Sequence, residues 1–218
     1  MLRADIHVHT HFSRDAIASP KAIVARCQKV GLNCIAVTDH NTIRGALEVQ
    51  RLAPFTVIVG EEVKTTAGEV MGLFLREEVP RGMSPLETAK AIKSQGGLVV
   101  LPHPCDLMRA GIARYGPLDG LMPLVDAVEV FNAHTLRDRF NREARELART
   151  HSLPVCLGSD AHAAVELGHT YMELPEFDGT PRGFLEALGQ ARLVARRARL
   201  VHRFITTYVK LFRRSPAR

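Results

Sequence analysis

The sequence predicts a parallel α/β fold, and three observations carry that prediction. Short, Val-rich apolar runs alternate with segments of helical periodicity along the whole chain. The runs are nearly continuous in their apolar character, as strands are when helices cover both faces of a sheet. Polar residues gather at the C-terminal ends of the runs, which is where ligand sites lie in closed barrels and in open α/β sheets alike. Periodicity leaves the open sheet and the barrel as alternatives. About seven runs ending toward one site favour the barrel.

Each element has its own signal. ADIHVHT is the first run, and Ser19-Pro20 then opens a helix that Gly31 closes. NCIAVTDH is the second run, followed by a helix from about Thr42 to Leu52. FTVIVGEEV is the third, and TTAG is a hairpin turn into EVMGLFL. Ser84-Pro85 repeats the helix start, with Glu87 completing a capping box and Gly96-Gly97 at the far end. LVVLPHP, DAVEVFN, a charged helix from about Leu136 to Thr150, PVCLGSD and HTYMEL follow, and Thr180-Pro181 opens the last helix.

A chain of 218 residues is long enough for one domain with a proper core. With 46% hydrophobic and 24% charged residues it has a soluble, globular composition. No apolar run approaches the roughly 20 residues of a membrane span, and MLRADIHVHT lacks the apolar stretch of a signal peptide. A cytoplasmic protein is the expectation. Cys27, Cys34, Cys105 and Cys156 lie far apart, form no CxxC pair, and are expected to be free thiols. The charge of +6 is uneven: residues 181–218 hold ten basic side chains and one acid, Glu186. The pI of about 9.5 therefore belongs to the tail and does not mark the body as a nucleic-acid binder. We divide the chain into a domain at 1–195 and a basic amphipathic tail at 196–218, where Leu200, Val201, Phe204, Ile205, Tyr208 and Phe212 recur near helical spacing. The first reading of the tail is a helix packed on the barrel. Contact with an anionic membrane or attraction for a polyanionic substrate are the alternatives. No stable protein partner is legible.

The residues with chemistry sit at the run ends. On a strand Asp5, His7 and His9 would share one face, with the two imidazoles about 7 Å apart. Alone, His-x-His is a weak motif. But TDH adds His40, GEEV adds a glutamate, PHP adds His103, and GSDAH adds Asp160 and His162. Five strand ends in order each present a nitrogen or oxygen ligand for divalent metals, and chance does not place five.

DIHVHTHFSRD, TDHNT, the Gly-Glu-Glu step, PHP and GSDAH together resemble the successive motifs of the PHP family, named for polymerase and histidinol phosphatase. The likeness runs from about residue 3 to 175 and is closer to a small stand-alone branch than to a polymerase-associated domain. It implies an α/β fold of a particular kind, a distorted (β/α)7 TIM-like barrel of the PHP type, here with a basic C-terminal helical tail. It implies two or three divalent ions (Mn, Fe or Zn) at the C-terminal strand ends, and phosphoester hydrolysis by a metal-activated hydroxide. The family positions fall on His7, His9, Asp15, His40, Glu62, His103, Asp160 and His162 as metal ligands. Glu62 is chosen over Glu61 because the family step is Gly-x-Glu. Two slots depart from the pattern. Glu69 stands where some members have a His, and after DAVEVFN the slot falls to His134, Asn132 or Glu129, with His134 taken as the ligand. His40, His162 and Asp160 are the candidate catalytic groups. Arg109 and Arg14 are candidate substrate-binding residues, since a guanidinium clamps a phosphate through two donors. Asp5 is read as a partner that orients a ligand histidine.

The expected substrate is a small phosphomonoester, a nucleotide or a short oligonucleotide. Aromatics at 6% and the absence of Trp limit base stacking. The alternatives are an exonuclease acting on RNA or DNA ends and a catalytically silent metal-binding regulatory module.

Overall fold

The computed structural model describes residues 1–109, 111–116, 118 and 120–198. From residue 199 on, the tail anticipated above lies outside the described residues. The elements run β1 (Leu2–Val8), α1 (Pro20–Val30), β2 (Cys34–Val37), α2 (Arg44–Leu52), β3 (Thr56–Lys64), β4 (Glu69–Leu73), α3 (Pro85–Ser94), β5 (Leu98–Leu101), β6 (Ala127–Asn132), α4 (Asp138–Thr150), β7 (Val155–Gly158), β8 (Tyr171–Leu174), α5 (Pro181–Leu188) and β9 (Arg192–Val194). Every run read from the sequence is a strand. The short β9 is an addition, held antiparallel against β8.

The local chemistry explains the helix ends. Ser19 Oγ accepts from the Ala22 amide at 3.2 Å, and Gly31 closes α1 at φ 75°. Ser84 and Glu87 form the capping box of α3, and Thr180 Oγ1 accepts from the Gly183 amide at 3.0 Å to start α5. α2 and α4 begin two residues later than expected. Thr42 lies just outside α2, where its Oγ1 accepts from the Arg44 amide at 3.2 Å and donates to Glu78 Oε1 at 2.6 Å, and Ile43 and Arg137 stand at the N-caps without side-chain cap bonds.

The strands lie in the order β7-β6-β5-β4-β3-β2-β1-β8-β9 and curl into a distorted barrel. Its seam is at β1. The N-terminal half of β1 pairs antiparallel with β8, while its C-terminal end meets the segment after β7. There the His9 amide donates to Ala161 O at 2.9 Å and the Asp160 amide to His7 O at 2.8 Å. Strand β4 runs antiparallel to both neighbours, as the hairpin reading of TTAG requires. Between β5 and β6, and after β7, the chain uses 3-10 turns at Ile112–Tyr115, Met122–Leu124 and Ala164–Glu166. The β5–β6 connection holds Pro102, Pro104, Pro117 and Pro123, which explains the missing helix.

Two apolar layers result. The outer one packs strand residues such as Val37, Val59 and Val99 against Ile23, Val49 and Ile92 of the helices. The inner one fills the barrel with Ala4, Ile6, Ala36, Ile58, Met71, Val100 and Cys156 and is plugged by Phe184 of α5. Phe184 lies between Phe74 and Phe177, with ring centroids 5.7 and 5.6 Å away.

One feature of β1 departs from simple alternation. Asp5 is level with Ile35 and Val8 with Val37, so β1 spends one residue more than β2 over the same span. This bulge reverses the facing. Ala4 and Ile6 belong to the inner layer, but Val8 belongs to the outer one. Hence Asp5 does not share a face with His7 and His9. Its Oδ1 accepts from the Ser159 amide at 3.0 Å, tying β1 to the β7 segment, and its carboxyl is pushed up to about 7 by burial, against the hydrogen bonds from Ser159. Asp5 meets a ligand histidine through backbone, since its Oδ1 also accepts from the His7 amide at 3.4 Å, so the expected shared face is corrected. Gly158 is required where it stands: a Cβ there would lie 2.3 Å from His7 Cβ and 2.4 Å from Glu129 Oε1.

No helix of the described residues is long and apolar enough to cross a membrane. All four cysteines are free and buried. Burial pushes the Cys27 and Cys34 thiols up to about 12 and Cys105 up to about 11.

Phe184→Ala should destabilise the fold by roughly 3–5 kcal/mol through a cavity at the barrel plug, read as a lower midpoint in urea. At pH 8 a thiol with a pKa of about 12 is thiolate in only roughly one molecule in ten thousand, so the native thiols should resist iodoacetamide while the unfolded chain reacts at once. Rapid native alkylation of Cys27 or Cys34 would contradict the packing described.

Candidate metal centre

The site lies where the C-terminal ends of β1, β2, β3, β5, β6 and β7 meet. Each side chain has a local reason for its position. The β1 bulge turns His7 and His9 inward. His40 follows β2 and is bridged to Glu62 on β3 through backbone pairing. His103 follows β5 and Asp160 follows β7, and both take left-handed backbone, φ 28° and φ 54°. Such backbone is rare outside glycine and costs of order 1–3 kcal/mol. Here it turns two chain segments back into the site at the strand ends.

Glu62 is the hub. Its Oε2 lies 3.4 Å from His7 Nε2, 3.5 Å from His9 Nε2 and 3.1 Å from His40 Nδ1, and its Oε1 lies 3.0 Å from His103 Nε2. Glu61 points elsewhere and accepts from the Val79 amide at 2.8 Å. Asp160 Oδ1 is the second focus, 3.2 Å from His9 Nε2 and 3.7 Å from His7 Nε2. Asp15 Oδ2 stands between His40 Nε2 at 3.6 Å and His162 Nε2 at 3.4 Å. All of these residues except His40 are buried.

A further ring of contacts sets the imidazole tautomers. His7 Nδ1 lies 2.9 Å from Glu129 Oε1. His162 Nδ1 donates to Asp160 O at 2.7 Å. His9 Nδ1 lies 3.2 Å from Ser13 Oγ, whose own proton goes to Asp39 Oδ1 at 2.6 Å, so the hydroxyl can only accept from His9. In all three rings Nδ1 is engaged outward and Nε2 is turned to the centre. Charge follows the same plan. Burial works against it, yet Asp160, Glu129 and Glu62 raise the His7 imidazole well above its ordinary value. Burial, with the His162 and His40 charges, holds His9 down at about 3. Burial is likewise outweighed at Asp160, where the Arg109 guanidinium and then His7 hold the carboxyl well below the usual range.

These donors fit divalent cations. His7 Nε2 and His9 Nε2 face each other at 3.1 Å, so a proton or a cation must lie between their lone pairs. Ligands of one tetrahedral ion at roughly 2.0–2.2 Å stand roughly 3.3–3.6 Å apart, close to the spacing of His7, His9 and Asp160. Among the described residues, donor atoms within 4.8 Å of one another form four overlapping groups: His7-His9-Asp160, His7-Glu62-His103, His9-His40-His162 and His40-Glu62-Glu69.

The remaining candidates are placed as follows. Glu69 enters the cluster, 3.9 Å from His103 Nε2. His134 stands apart from the four groups among the described residues: its Nε2 lies 2.5 Å from Glu166 Oε2, and its ring centroid is 5.7 Å from that of His162. Arg109 reaches the site by pairing with Asp160 Oδ2 and donating to Asn132 Oδ1 at 2.8 Å. Arg14 lines a cavity beside Asp15 and His40. Sequence reasoning missed Asp39, Ser13 and Glu166. Asp39 was legible as the residue before His40 in TDH. Glu166 had no local sign, since its role depends on a 3-10 turn.

Two family models match the chain, the PHP domain over residues 5–102 and the PHP-associated segment over 138–193. An uncharacterized protein of Methanocaldococcus jannaschii is 41% identical over 147 residues, covering 61% of this chain and 83% of that protein. A 5'-3' exoribonuclease of Haemophilus influenzae is 30% identical over 140 residues, covering 61% of this chain and 48% of the enzyme. Among solved structures, a two-domain protein from Bacteroides vulgatus containing a predicted PHP-like metal-dependent phosphoesterase superposes with a TM-score of 0.71 at 20% identity, over 95% of this chain and 69% of that one. The two matched segments hold His7, His9, Asp15, His40, Glu62, Asp160 and His162 of the cluster, and the chain belongs to the PHP family.

Proposed function

We propose that the protein hydrolyses phosphoesters with two or three divalent ions (Mn, Fe or Zn) held by the buried cluster. Its substrate is then a small phosphomonoester, a nucleotide or a short oligonucleotide. The observation that carries this reading is the convergence of His7, His9 and His103 on the two carboxylates Glu62 and Asp160 in a buried site. The exoribonuclease likeness supports the oligonucleotide end of the substrate range.

In this reading His7, His9, Asp15, His40, Glu62, His103, Asp160 and His162 hold the ions, and Glu69 joins them through its approach to Glu62 and His40. When bound, divalent ions supply a water acidified to near neutrality and neutralise charge on the phosphoryl oxygens. Glu129, Ser13 and the Asp160 carbonyl fix the rings of His7, His9 and His162, so that three Nε2 atoms stay aimed inward. Asn132 Nδ2 donates to Asp160 Oδ2 at 3.0 Å and holds that carboxylate still. His40 alone among these imidazoles has a partly exposed side chain, at 26%. In this reading it hands a proton to a departing alcohol from the ring nitrogen that holds no ion. Arg109 fits a phosphate-orienting role from its position over Asp160. His134, paired with Glu166, is assigned to the support of His162 in place of the metal role first expected of it.

His9→Ala and Asp160→Ala should each lower bound metal, by elemental analysis, and reduce kcat/KM on phosphoester substrates by more than about 100-fold. Undiminished turnover by metal-stripped His9→Ala protein would refute the mechanism. Glu129→Gln, which weakens the outward bond of His7, should cost about 10–100-fold in metal affinity measured against a chelator. Gly158→Ala should act in the same direction by displacing His7 and Glu129.

A further inference from the structure

The large apolar side chains left exposed are not spread evenly over the described surface. Ile17, Leu107, Met108, Leu136 and Val165 are each between 44% and 62% exposed, and only Met1 and Leu47 join them among the described residues. The five lie on the loops that leave the C-terminal ends of β1, β5, β6 and β7. Those strands are consecutive around the barrel, since β5, β6 and β7 are neighbours across β6 and the segment after β7 pairs with the end of β1. Hydrogen bonds stitch the loops together beside the apolar side chains. Thr135 Oγ1, next to Leu136, donates to Asp106 Oδ2 at 3.0 Å, just before Leu107 and Met108. The His134 ring meets Glu166, next to Val165, and the Ile17 amide donates to His162 O at 2.8 Å. The result is one apolar arc along the mouth of the metal centre. Single exposed aliphatics are ordinary, but a contiguous arc marks a surface that another apolar surface covers.

The end of the described chain is aimed at that arc. β9 is antiparallel to β8, and β8 to β1, so β9 runs in the direction of β1, toward the mouth. Beyond it the Arg196 amide donates to Thr170 Oγ1 at 3.2 Å, Arg197 pairs with Asp138 at the start of α4, and the Ala198 amide donates to Ala133 O at 3.0 Å. Ala133 lies only three residues before Leu136. Residues 199–218 follow, twenty in all, with six Arg or Lys and no acid. Phe204, Ile205, Tyr208 and Phe212 recur there near helical spacing, and a helix of that length reaches about 30 Å, the width of a small domain. We infer that residues 199–218 dock across the arc: Phe204, Ile205, Tyr208 and Phe212 cover Leu136, Val165, Ile17 and Met108, and the Arg and Lys heads stay in water at the mouth. A tethered occupant meets the arc at high effective concentration, so few apolar contacts suffice to hold it. Two such tails repel each other through their like charge, which works against a second copy as the cover. The docking is independent of the reaction at the cluster.

The test uses the full chain with a single cysteine introduced by Leu136→Cys or Val165→Cys on the arc, or by Leu47→Cys on α2, off the arc. The native thiols are all buried, and burial holds Cys27 and Cys34 at about 12, so they react slowly at pH 8. Alkylation by iodoacetamide is timed for each protein twice, with the natural tail and with Phe204→Ser, Ile205→Ser and Phe212→Ser combined. The altered tail should speed labelling at the two arc positions by about tenfold or more and leave the α2 position unchanged. Equal rates with both tails at the arc positions overturn the docking. Protection of the arc that grows with protein concentration identifies a second copy as the cover and also overturns it. Protection that arises only when phosphatidylserine vesicles are added identifies a membrane surface and does the same. Phe204→Ala with Phe212→Ala should shift the rates in the same direction by less. A cooperative thermal melt verifies that each variant is folded.

Discussion

Buried charge is the constraint on which this structure depends. Glu62, Asp160, His7 and His9 are almost wholly removed from solvent, and an isolated ion in such a place costs several kcal/mol. The fold meets that cost by geometry: every carboxylate at the centre faces imidazole nitrogens, and Asp160 faces a guanidinium as well. The price of the arrangement is carried by the scaffold. The segments at His103 and Asp160 adopt left-handed backbone, β1 is bulged, and Gly158 leaves no room for a side chain. Removing any partner leaves the others uncompensated. The barrel and the cluster are therefore one cooperative object.

Much of the fold was legible because it follows from local rules. Ser-Pro and Thr-Pro starts, the capping box and Gly31 set helix ends by backbone chemistry confined to a few residues. Val-rich runs mark buried strands whatever their partners. The candidate cluster was legible for a related reason: its donors are displayed at successive strand ends, and a parallel α/β topology brings such ends to one rim. Glu62 over Glu61 followed from the motif step, and the structure turns Glu62 inward.

What the sequence did not disclose depends on register and on irregular chain. The β1 bulge is invisible in DIHVH, because alternation is the default and an extra residue shows only against β2. Asp5 was consequently put on the imidazole face, whereas it holds the backbone amides of His7 and Ser159. His134 was offered to a metal, and the Glu166 carboxylate that the 3-10 turn at Ala164–Glu166 brings to its Nε2 had no local sign. The cavity beside Asp15 and His40 likewise draws on several chain segments: Arg14 could be singled out locally, while Arg44 and Arg81, which also line it, could not.

The seam at β1 has a bearing on how the molecule comes into being. β1 is made well before β7 and carries two of the cluster's imidazoles, yet its inner end is closed by backbone bonds to residues 160 and 161. A nascent chain that stops short of Ser159 holds His7 and His9 on an unsealed edge, without the carboxylate of Asp160. The full set of donors is thus reserved for a chain that has folded through β7. A product truncated before Ser159 lacks the second carboxylate focus of the cluster.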